Sequence, residues 1–543
     1  MLVPPSAFRG IFRTDDDARA VYSESAGIAR VLPLGVAVPA DIDDLIALVR
    51  WAALTRTPLI PRGSGSSMPN GAVGAGLIVD LSQWSMIDAV DAGARTVRAQ
   101  PGALRERIDW AALSHGLRFP VDPSSGAFCT IGGMASTNAA GARTLRYGPT
   151  RGWIRALDCV FADGSRAEIR RGESPPRDIP AIQRFLSVAD ALVAADATQP
   201  ATHAGVLKDS SGYGLAAYAK SRDLVDLLVG SEGTLAIFVA IEVDLIPVAA
   251  ETSSVLGAFS SIEAAVIAAG RARVAGASAC ELLDRTFLDV AASAGSERPL
   301  PEETESALLV EVEGANSRDA AANAHMIEEI FRDAGATTVR VALDERTEHE
   351  LWELRHAASP ILSRLDPRLK SMQFIEDSAV PPDKLAAYVR GVREILAANE
   401  TRGVIFGHAG DAHVHVNPLV DVSHPDWKQR VERILEGVVS LVSALGGTLT
   451  GEHGDGRLRT PLASRVWPAE IVAHFAAIKR AFDPDGILNP GVKVATAGET
   501  PIVDIKYDPA LPPLTERARR ALDRVERERA YSRFRLDLLV DEN

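Results

Sequence analysis

Cysteine is almost absent: Cys129, Cys159 and Cys280 are the only three in 543 residues, and no two form a CxxC pair. Three thiolates cannot supply the four cysteine ligands of an ordinary iron–sulfur cluster. They support no disulfide framework either, so any redox chemistry must come from a bound cofactor. No apolar run approaches the ~18 residues that span a bilayer. Pro4 and Pro5 interrupt the stretch where a signal peptide needs a continuous apolar core. The expectation is a protein without a transmembrane segment, cytoplasmic or peripheral to the inner membrane. Basic residues are in deficit, 58 Lys plus Arg against 72 Asp plus Glu, a net charge of −14. That excess argues against a broad phosphate-binding surface and a nucleic-acid partner. The apolar share of 46% and charged share of 24% exclude a disordered chain. The length allows two large domains, or three or four smaller ones.

The spacing predicts a mixed α+β chain in three segments: 1–248, 249–447 and 448–543. In the first, short apolar runs at 35–39, 58–61, 77–81, 96–99, 154–161 and 234–246 read as strands. Asp41 can cap a helix running to about residue 53. In the second, helices are expected at 262–275 and 318–334, with strands at 308–313 and 338–342. Paired strands follow at 403–406 and 413–417, then a long helix at 427–445. The third ends in a charged tail from about residue 509. Its 517–535 stretch sets Ala518, Leu522, Val525 and Phe534 among eight arginines and three acids. It reads either as a membrane-surface or partner helix, or as a surface helix packed on its own protein with Arg stems covering apolar surface.

The densest signal is Pro61-Arg-Gly-Ser-Gly-Ser-Ser-Met-Pro-Asn-Gly71. Glycines let backbone N–H groups approach an anion, and Ser64, Ser66 and Ser67 add hydroxyl donors, as a pyrophosphate requires. The dinucleotide fingerprint GxGxxG fails at Met68. Alone the stretch could be a plain loop. It is followed by Gln100-Pro-Gly102, Asp122-Pro-Ser-Ser-Gly126, Thr130-Ile-Gly-Gly-Met-Ala-Ser-Thr-Asn-Ala-Ala-Gly141, Tyr147-Gly148, Lys208-Asp-Ser-Ser-Gly-Tyr-Gly214 and Gly230-Ser-Glu-Gly-Thr-Leu-Ala-Ile237. A large, multiply phosphorylated ligand could use all of them.

This order of motifs, over about residues 30–248, resembles the FAD-binding domain of the vanillyl-alcohol oxidase and p-cresol methylhydroxylase superfamily. The resemblance implies FAD, bound in a two-subdomain fold of the p-cresol methylhydroxylase type. It places the pyrophosphate on Arg62, Gly63, Ser64, Gly65, Ser66 and Ser67, with Gly71 and Ala72 closing the loop. Flavin and ribityl contacts fall on Gly132, Gly133, Ser136, Thr137, Asn138, Gly141 and Tyr147. Glu232, Gly233, Thr234 and Ile237 would lie near the adenosine half, and Pro123 and Asn489 join the cofactor set. Some relatives attach FAD through His, Cys or Tyr. His115 is the only histidine in the first 150 residues and sits in no cradle motif, so non-covalent FAD is expected.

Three of the 11 histidines fall within eight residues, in Gly407-His408-Ala-Gly-Asp-Ala-His413-Val-His415-Val-Asn417. In a strand His413, His415 and Asn417 share a face, and a hairpin would bring His408 beside them. The cluster reads as a Zn or Mn site or as core histidines. A Glu from Gly451-Glu452-His453-Gly-Asp-Gly456 would complete a His₂Glu set with open positions. A metal hydrolase built on this cluster alone would leave the glycine loops unexplained.

Residues 250–493 resemble the D-lactate and D-2-hydroxyglutarate dehydrogenase branch of the same superfamily, with an α+β substrate (cap) domain and Phe482-Asp-Pro-Asp-Gly-Ile-Leu-Asn-Pro490 as its closing motif. The resemblance implies that His408, His415 and Glu452 hold a divalent metal and that His453 is the catalytic base. Asn417 would touch the substrate and Arg355 would bind a carboxylate. Two positions depart from the branch's diacid users: Ile375 stands where they carry a Lys, and Ser359 where they carry a Thr. The expected substrate is a small D-2-hydroxy acid, D-lactate-like or longer. A quinone, an electron-transfer flavoprotein or an iron–sulfur partner would accept the electrons. The glycine loops predict a yellow protein that releases intact FAD on denaturation. An absorbance spectrum of purified protein checks it, and colourless protein that takes up no added FAD would contradict it.

Overall fold

The computed structural model describes residues 2–293, 300–356 and 368–540. The N-terminal part carries two four-stranded sheets. In the first, Ile11–Arg13, Gly35–Val38, Leu77–Asp80 and Leu59–Arg62 lie side by side in that order, and the last three are parallel. Parallel neighbours need a crossover, and the helix Ile42–Thr55 provides one. Its N-cap is Asp41, whose carboxylate accepts the Asp44 N–H at 3.0 Å, as the sequence predicts. Leu45, Leu48, Val49 and Ala52 pack it on the sheet. The second sheet is antiparallel, in the order Thr96–Ala99, Ile237–Asp244, Ile154–Val160, Arg166–Arg170. The late helix Ala469–Phe482 returns to this sheet's core, with Phe475 against Tyr213 and Phe482 against Phe161 and Phe185.

The middle of the chain builds a seven-stranded antiparallel sheet. Its order is Thr338–Ala342, Glu251–Phe259, Ser306–Gly314, Ala279–Asp284, Arg402–His408, His415–Asp421, Leu369–Ser371. Helices Ile262–Val274, Ser317–Asp333, Leu385–Ala398 and Trp427–Ala444 cover one face through an aliphatic and aromatic core. Two halves of the sheet meet where Ala279–Asp284 pairs with Arg402–His408, and that register sets Glu281 directly opposite His408. The next pairing sets His415 opposite Phe406 and Asn417 opposite Val404. Because strand side chains alternate, Glu281, Phe406, His408, His415 and Asn417 share the face away from these four helices, on which the helices Arg285–Ser293 and Glu345–His356 pack.

Among the described residues, no helix is long and apolar enough to cross a membrane. The C-terminal helix is Glu516–Glu528, shorter than the 517–535 stretch suggests, because the chain turns at Arg529 with φ 53°. Of the two readings of this segment, packing on its own protein is what the structure contains. Ala518, Ala521 and Leu522, with Leu536 and Leu539 beyond the turn, close over Ala18, Val21 and Tyr22. Beyond Arg529, Tyr531 meets Phe128 at a centroid distance of 5.3 Å, and buried Arg535 donates to the Ser64 carbonyl at 3.4 Å. Leu522→Ala removes the centre of this contact. It should lower stability by roughly 2–5 kcal/mol, read as a lower denaturant midpoint for flavin release.

Candidate active site

A cavity of about 1060 Å³ runs from the glycine loops of the N-terminal part to the histidine cluster under the seven-stranded sheet. It is at the upper end of the ~300–1,000 Å³ typical of ligand sites, as a dinucleotide needs. Arg62 to Ser67, Gly71 and Ala72 form one stretch of wall. Pro123, Gly132, Gly133, Ser136 and Thr137 form a second, and Glu232, Gly233, Ile237 and Asn489 a third. Glycine is required in places. At Gly65 φ is 73° and a Cβ would lie 2.4 Å from the Arg62 guanidinium. At Gly133 a Cβ would meet only Thr130 Oγ1, at 3.2 Å, so the absent side chain leaves cavity space. These features fit the cofactor that the motifs imply.

Four residues of the expected cofactor set do not line the cavity. Asn138 is buried behind it, its Oδ1 accepting the Arg151 N–H at 2.9 Å. Gly141 is pressed against the Asp122 carbonyl, where a Cβ would come within 2.2 Å. The Tyr147 hydroxyl donates to Glu313 at 2.6 Å, and Thr234 pairs with the Tyr213 hydroxyl at 2.8 Å. They shape the walls from outside.

At the other end His408, His415 and Glu452 come together. His408 Nε2 and His415 Nε2 each lie 3.3 Å from Glu452 Oε1. The remaining ring nitrogens are anchored: His408 Nδ1 to Glu281 Oε1 at 2.6 Å and His415 Nδ1 to the Glu376 carbonyl at 2.9 Å. These bonds assign the protons to Nδ1 and leave both Nε2 lone pairs facing a carboxylate oxygen. Three facing acceptors need a shared cation, either a proton on one ring or a divalent ion. Burial disfavours a charged His408, but Glu281 outweighs it and pushes the ring up to about 9. The donor set, two imidazoles and a carboxylate, fits Zn or Mn.

His453 stands beside this group, its Nδ1 3.2 Å from Glu376 Oε1 and its Nε2 3.7 Å from Glu452 Oε1. It is about one-quarter open to the cavity, at 23%. Burial works against its protonation, but Asp377 and Glu376 raise its pKa above the usual imidazole value. The turn that lets Glu452 and His453 share the cavity is built by Asp377, which accepts both backbone N–H groups, at 3.3 and 2.9 Å. Gly456 ends the turn with φ 51°, where a Cβ would overlap the Pro69 carbonyl. Asn417 and Arg355 line the same cavity. Arg355 donates from Nε to Glu281 Oε2 at 2.7 Å and lies 4.8 Å over the Phe406 ring. Ile375 is not in the wall: it is buried in the cap core, and Gln373 and Glu376 border the cavity instead. Ser359 lies outside the described residues.

Several buried residues were not found from the sequence. Glu281 links His408 to Arg355, and Lys208 Nζ pairs with Glu452 Oε2 at 2.6 Å. Arg459 lies between Glu376 and Asp377, 3.0 Å from Asp377 Oδ2 and in contact with Glu376 Oε1. Burial opposes ionisation of both acids, but Arg459 and His453 bring Glu376 down to about 2 and hold Asp377 well below the usual carboxylate range. Lys208 lies in the motif at 208–214, where a lysine beside glycines and serines was the available signal.

Fold and cavity together define a two-part flavoprotein of the p-cresol methylhydroxylase type. The family described as "FAD binding domain" matches residues 33–170, and "FAD linked oxidases, C-terminal domain" matches 248–492. The chain belongs to the FAD-linked oxidase family, in the branch that holds glycolate oxidase subunit GlcD and the D-lactate and D-2-hydroxyglutarate dehydrogenases. It is 30% identical to glycolate oxidase subunit GlcD of Bacillus subtilis, covering 88% of this chain and 93% of that one. It is 28% identical to the D-lactate dehydrogenase of Archaeoglobus fulgidus, covering 84% and 90%. The D-2-hydroxyglutarate dehydrogenase of Pseudomonas putida is also 28% identical, but the match spans 90% of this chain and only 51% of that protein. The fold is shared with 4-ethylphenol oxidase from Gulosibacter chungangensis at 15% identity, TM-score 0.65, covering 89% and 94%.

Arg459→Met would leave two buried carboxylates without their guanidinium. It should destabilise the protein by roughly 3–5 kcal/mol, measured by denaturant unfolding, whereas a change under ~1 kcal/mol would show that those charges are not held by Arg459.

Proposed function

We propose that the protein is an FAD- and divalent-metal-dependent dehydrogenase that oxidises a D-2-hydroxy acid to the 2-oxo acid. The observation that carries this reading is the convergence of His408 Nε2, His415 Nε2 and Glu452 Oε1 beside His453, in the cavity that the glycine cradle opens. FAD, when bound, supplies the hydride acceptor, and a Zn or Mn ion on His408, His415 and Glu452 supplies Lewis-acid polarisation of the substrate hydroxyl. His453 takes the hydroxyl proton on Nε2, because its Nδ1 faces Glu376. Arg355 keeps its terminal nitrogens for a carboxylate, since its Nε is held by Glu281. Asn417 orients the acid from the same strand face as His415.

The substrate of this reading is a monocarboxylate or apolar-tailed acid. Ile375 lies in the core, and Lys370, which does line the cavity, faces the Tyr507 ring at 5.4 Å and the charge of Glu526. FAD is read as non-covalent. His115 is exposed and outside the cavity wall, and burial pushes the wall thiol of Cys129 up to about 11, where it is a poor nucleophile. A second reading is a flavin subunit of a larger assembly, expected to contain iron–sulfur; its being a subunit is supported by the likeness to glycolate oxidase subunit GlcD, and the match to the Pseudomonas protein covers only half of that protein.

Turnover of a panel of D- and L-2-hydroxy acids with an artificial acceptor tests the reading. D-acids should be used, D-lactate-type acids in preference to D-2-hydroxyglutarate, and chelator dialysis should abolish turnover while the flavin spectrum remains. His453→Ala should lower kcat by about 10²–10⁴-fold with FAD still bound. Full activity in metal-free protein would contradict the ion, and a loss of only a few-fold would mean that another group takes the proton.

A further inference from the structure

His413 is fully buried, yet nothing in the reaction above uses it. It does not continue the strand that begins at His415. Ala412 turns the chain with φ 53°, and the His413 N–H donates back to the His408 carbonyl at 3.2 Å, so the ring folds beside its neighbours. Its Nε2 is bonded to Asp377 Oδ1 at 2.9 Å, and its Nδ1 is buried with no hydrogen-bond partner. The pattern repeats that of His408 and His415: one ring nitrogen anchored on an acceptor, the other left as a bare lone pair. Metal-ligating imidazoles are held in this way.

The arrangement of the rings agrees. The centroids of His408, His413 and His415 form a near-equilateral triangle with sides of 5.4, 4.8 and 5.3 Å. Three imidazoles around one tetrahedral ion, with Zn–N bonds of ~2.0–2.1 Å, require centroids roughly 5 Å apart. One donor atom from each of His408, His413, His415 and Glu452 lies within 4.8 Å of the others. His453 is different: its ring stacks on His415 at an interplanar angle of 9°, and its Nδ1 faces Glu376.

We propose that His413, through Nδ1, is a fourth protein donor to the divalent ion, making the site His₃Glu. The proposal rests on the metal reading above and deepens it. Four protein donors would leave a zinc ion without a vacant tetrahedral position, so a hydroxy acid would bind it only by expansion beyond four ligands, as catalytic zinc sites allow.

The test is zinc K-edge X-ray absorption on the full-length flavoprotein loaded with Zn²⁺, which counts imidazole scatterers directly. Three rings are expected in the wild type and two in His413→Asn, with one zinc retained by elemental analysis and an unchanged flavin spectrum. A fall in zinc affinity alone would not decide, because losing an outer partner also weakens binding by about 10–100-fold. Two rings in the wild type would overturn the fourth donor and leave His408, His415 and Glu452 standing. No zinc bound by the wild type would overturn the metal reading itself. The wild-type count stands even if His413→Asn does not fold.

Discussion

The carboxylate of Asp377, with no solvent exposure, is the anchor on which the site depends. It accepts from the Glu452 and His453 backbone, from the His413 ring and from Arg459. An isolated buried carboxylate is costly, so each partner stabilises the ionised form and the acid fixes each partner in return. Two loops distant in sequence, at 408–413 and 451–453, are thereby held in one geometry. Glu376 extends the same logic: its side chain takes Arg459 and faces His453, while its backbone carbonyl takes His415.

The two halves of the molecule are joined by charge as well as by packing. Glu232, from the cofactor-binding half, accepts the N–H groups of Asp455 and Gly456 at 2.7 and 3.0 Å, just beyond the His453 turn. Fully buried Lys493 bridges Glu232 and Asp455 at 3.1 and 3.0 Å. Lys208, from the same half, reaches Glu452. The turn that carries His453 is therefore positioned by Glu232, a residue that also lines the cofactor wall. A shift of one half relative to the other would disturb both sites at once.

Much of the framework was legible in the sequence. Thr96–Ala99 and Thr338–Ala342 match their expected bounds, and the Asp41 cap is as read, because short apolar runs between turn residues and a capping acid are local signals. The strands Glu251–Phe259 and Ala279–Asp284 were not read, and Glu281 was missed with them. Its partner His408 lies 127 residues away, and only the sheet register brings them together. Arg459 and Lys208 were hidden for the same reason, since a lone charge in sequence does not disclose the buried charge it meets. The adjacent Glu452 and His453 were both read as site residues, but the acid that builds the turn they share, Asp377, was not identified. The helix read through residue 535 stops at Glu528, because periodicity continues past the left-handed turn that ends it.

The contact between the C-terminal helix and the N-terminal segment around Tyr22 spans nearly the whole sequence; Arg519 meets Glu24 across 495 positions. Leu536 and Leu539 complete the core around Tyr22, and Tyr531 closes against Phe128 at the cofactor wall. At roughly 5–20 residues per second of synthesis, the first strands wait from about half a minute to nearly two minutes for these partners to leave the ribosome. During that interval the apolar surface of Ala18, Val21 and Tyr22 is covered only by Val36, Val38, Ile60 and Ile78, and the flavin cradle lacks part of its wall. Maturation is therefore ordered: the nascent chain can form its sheets as it emerges, but the flavin cradle is complete only once the segment around Leu522, Tyr531 and Leu539 has folded back onto it.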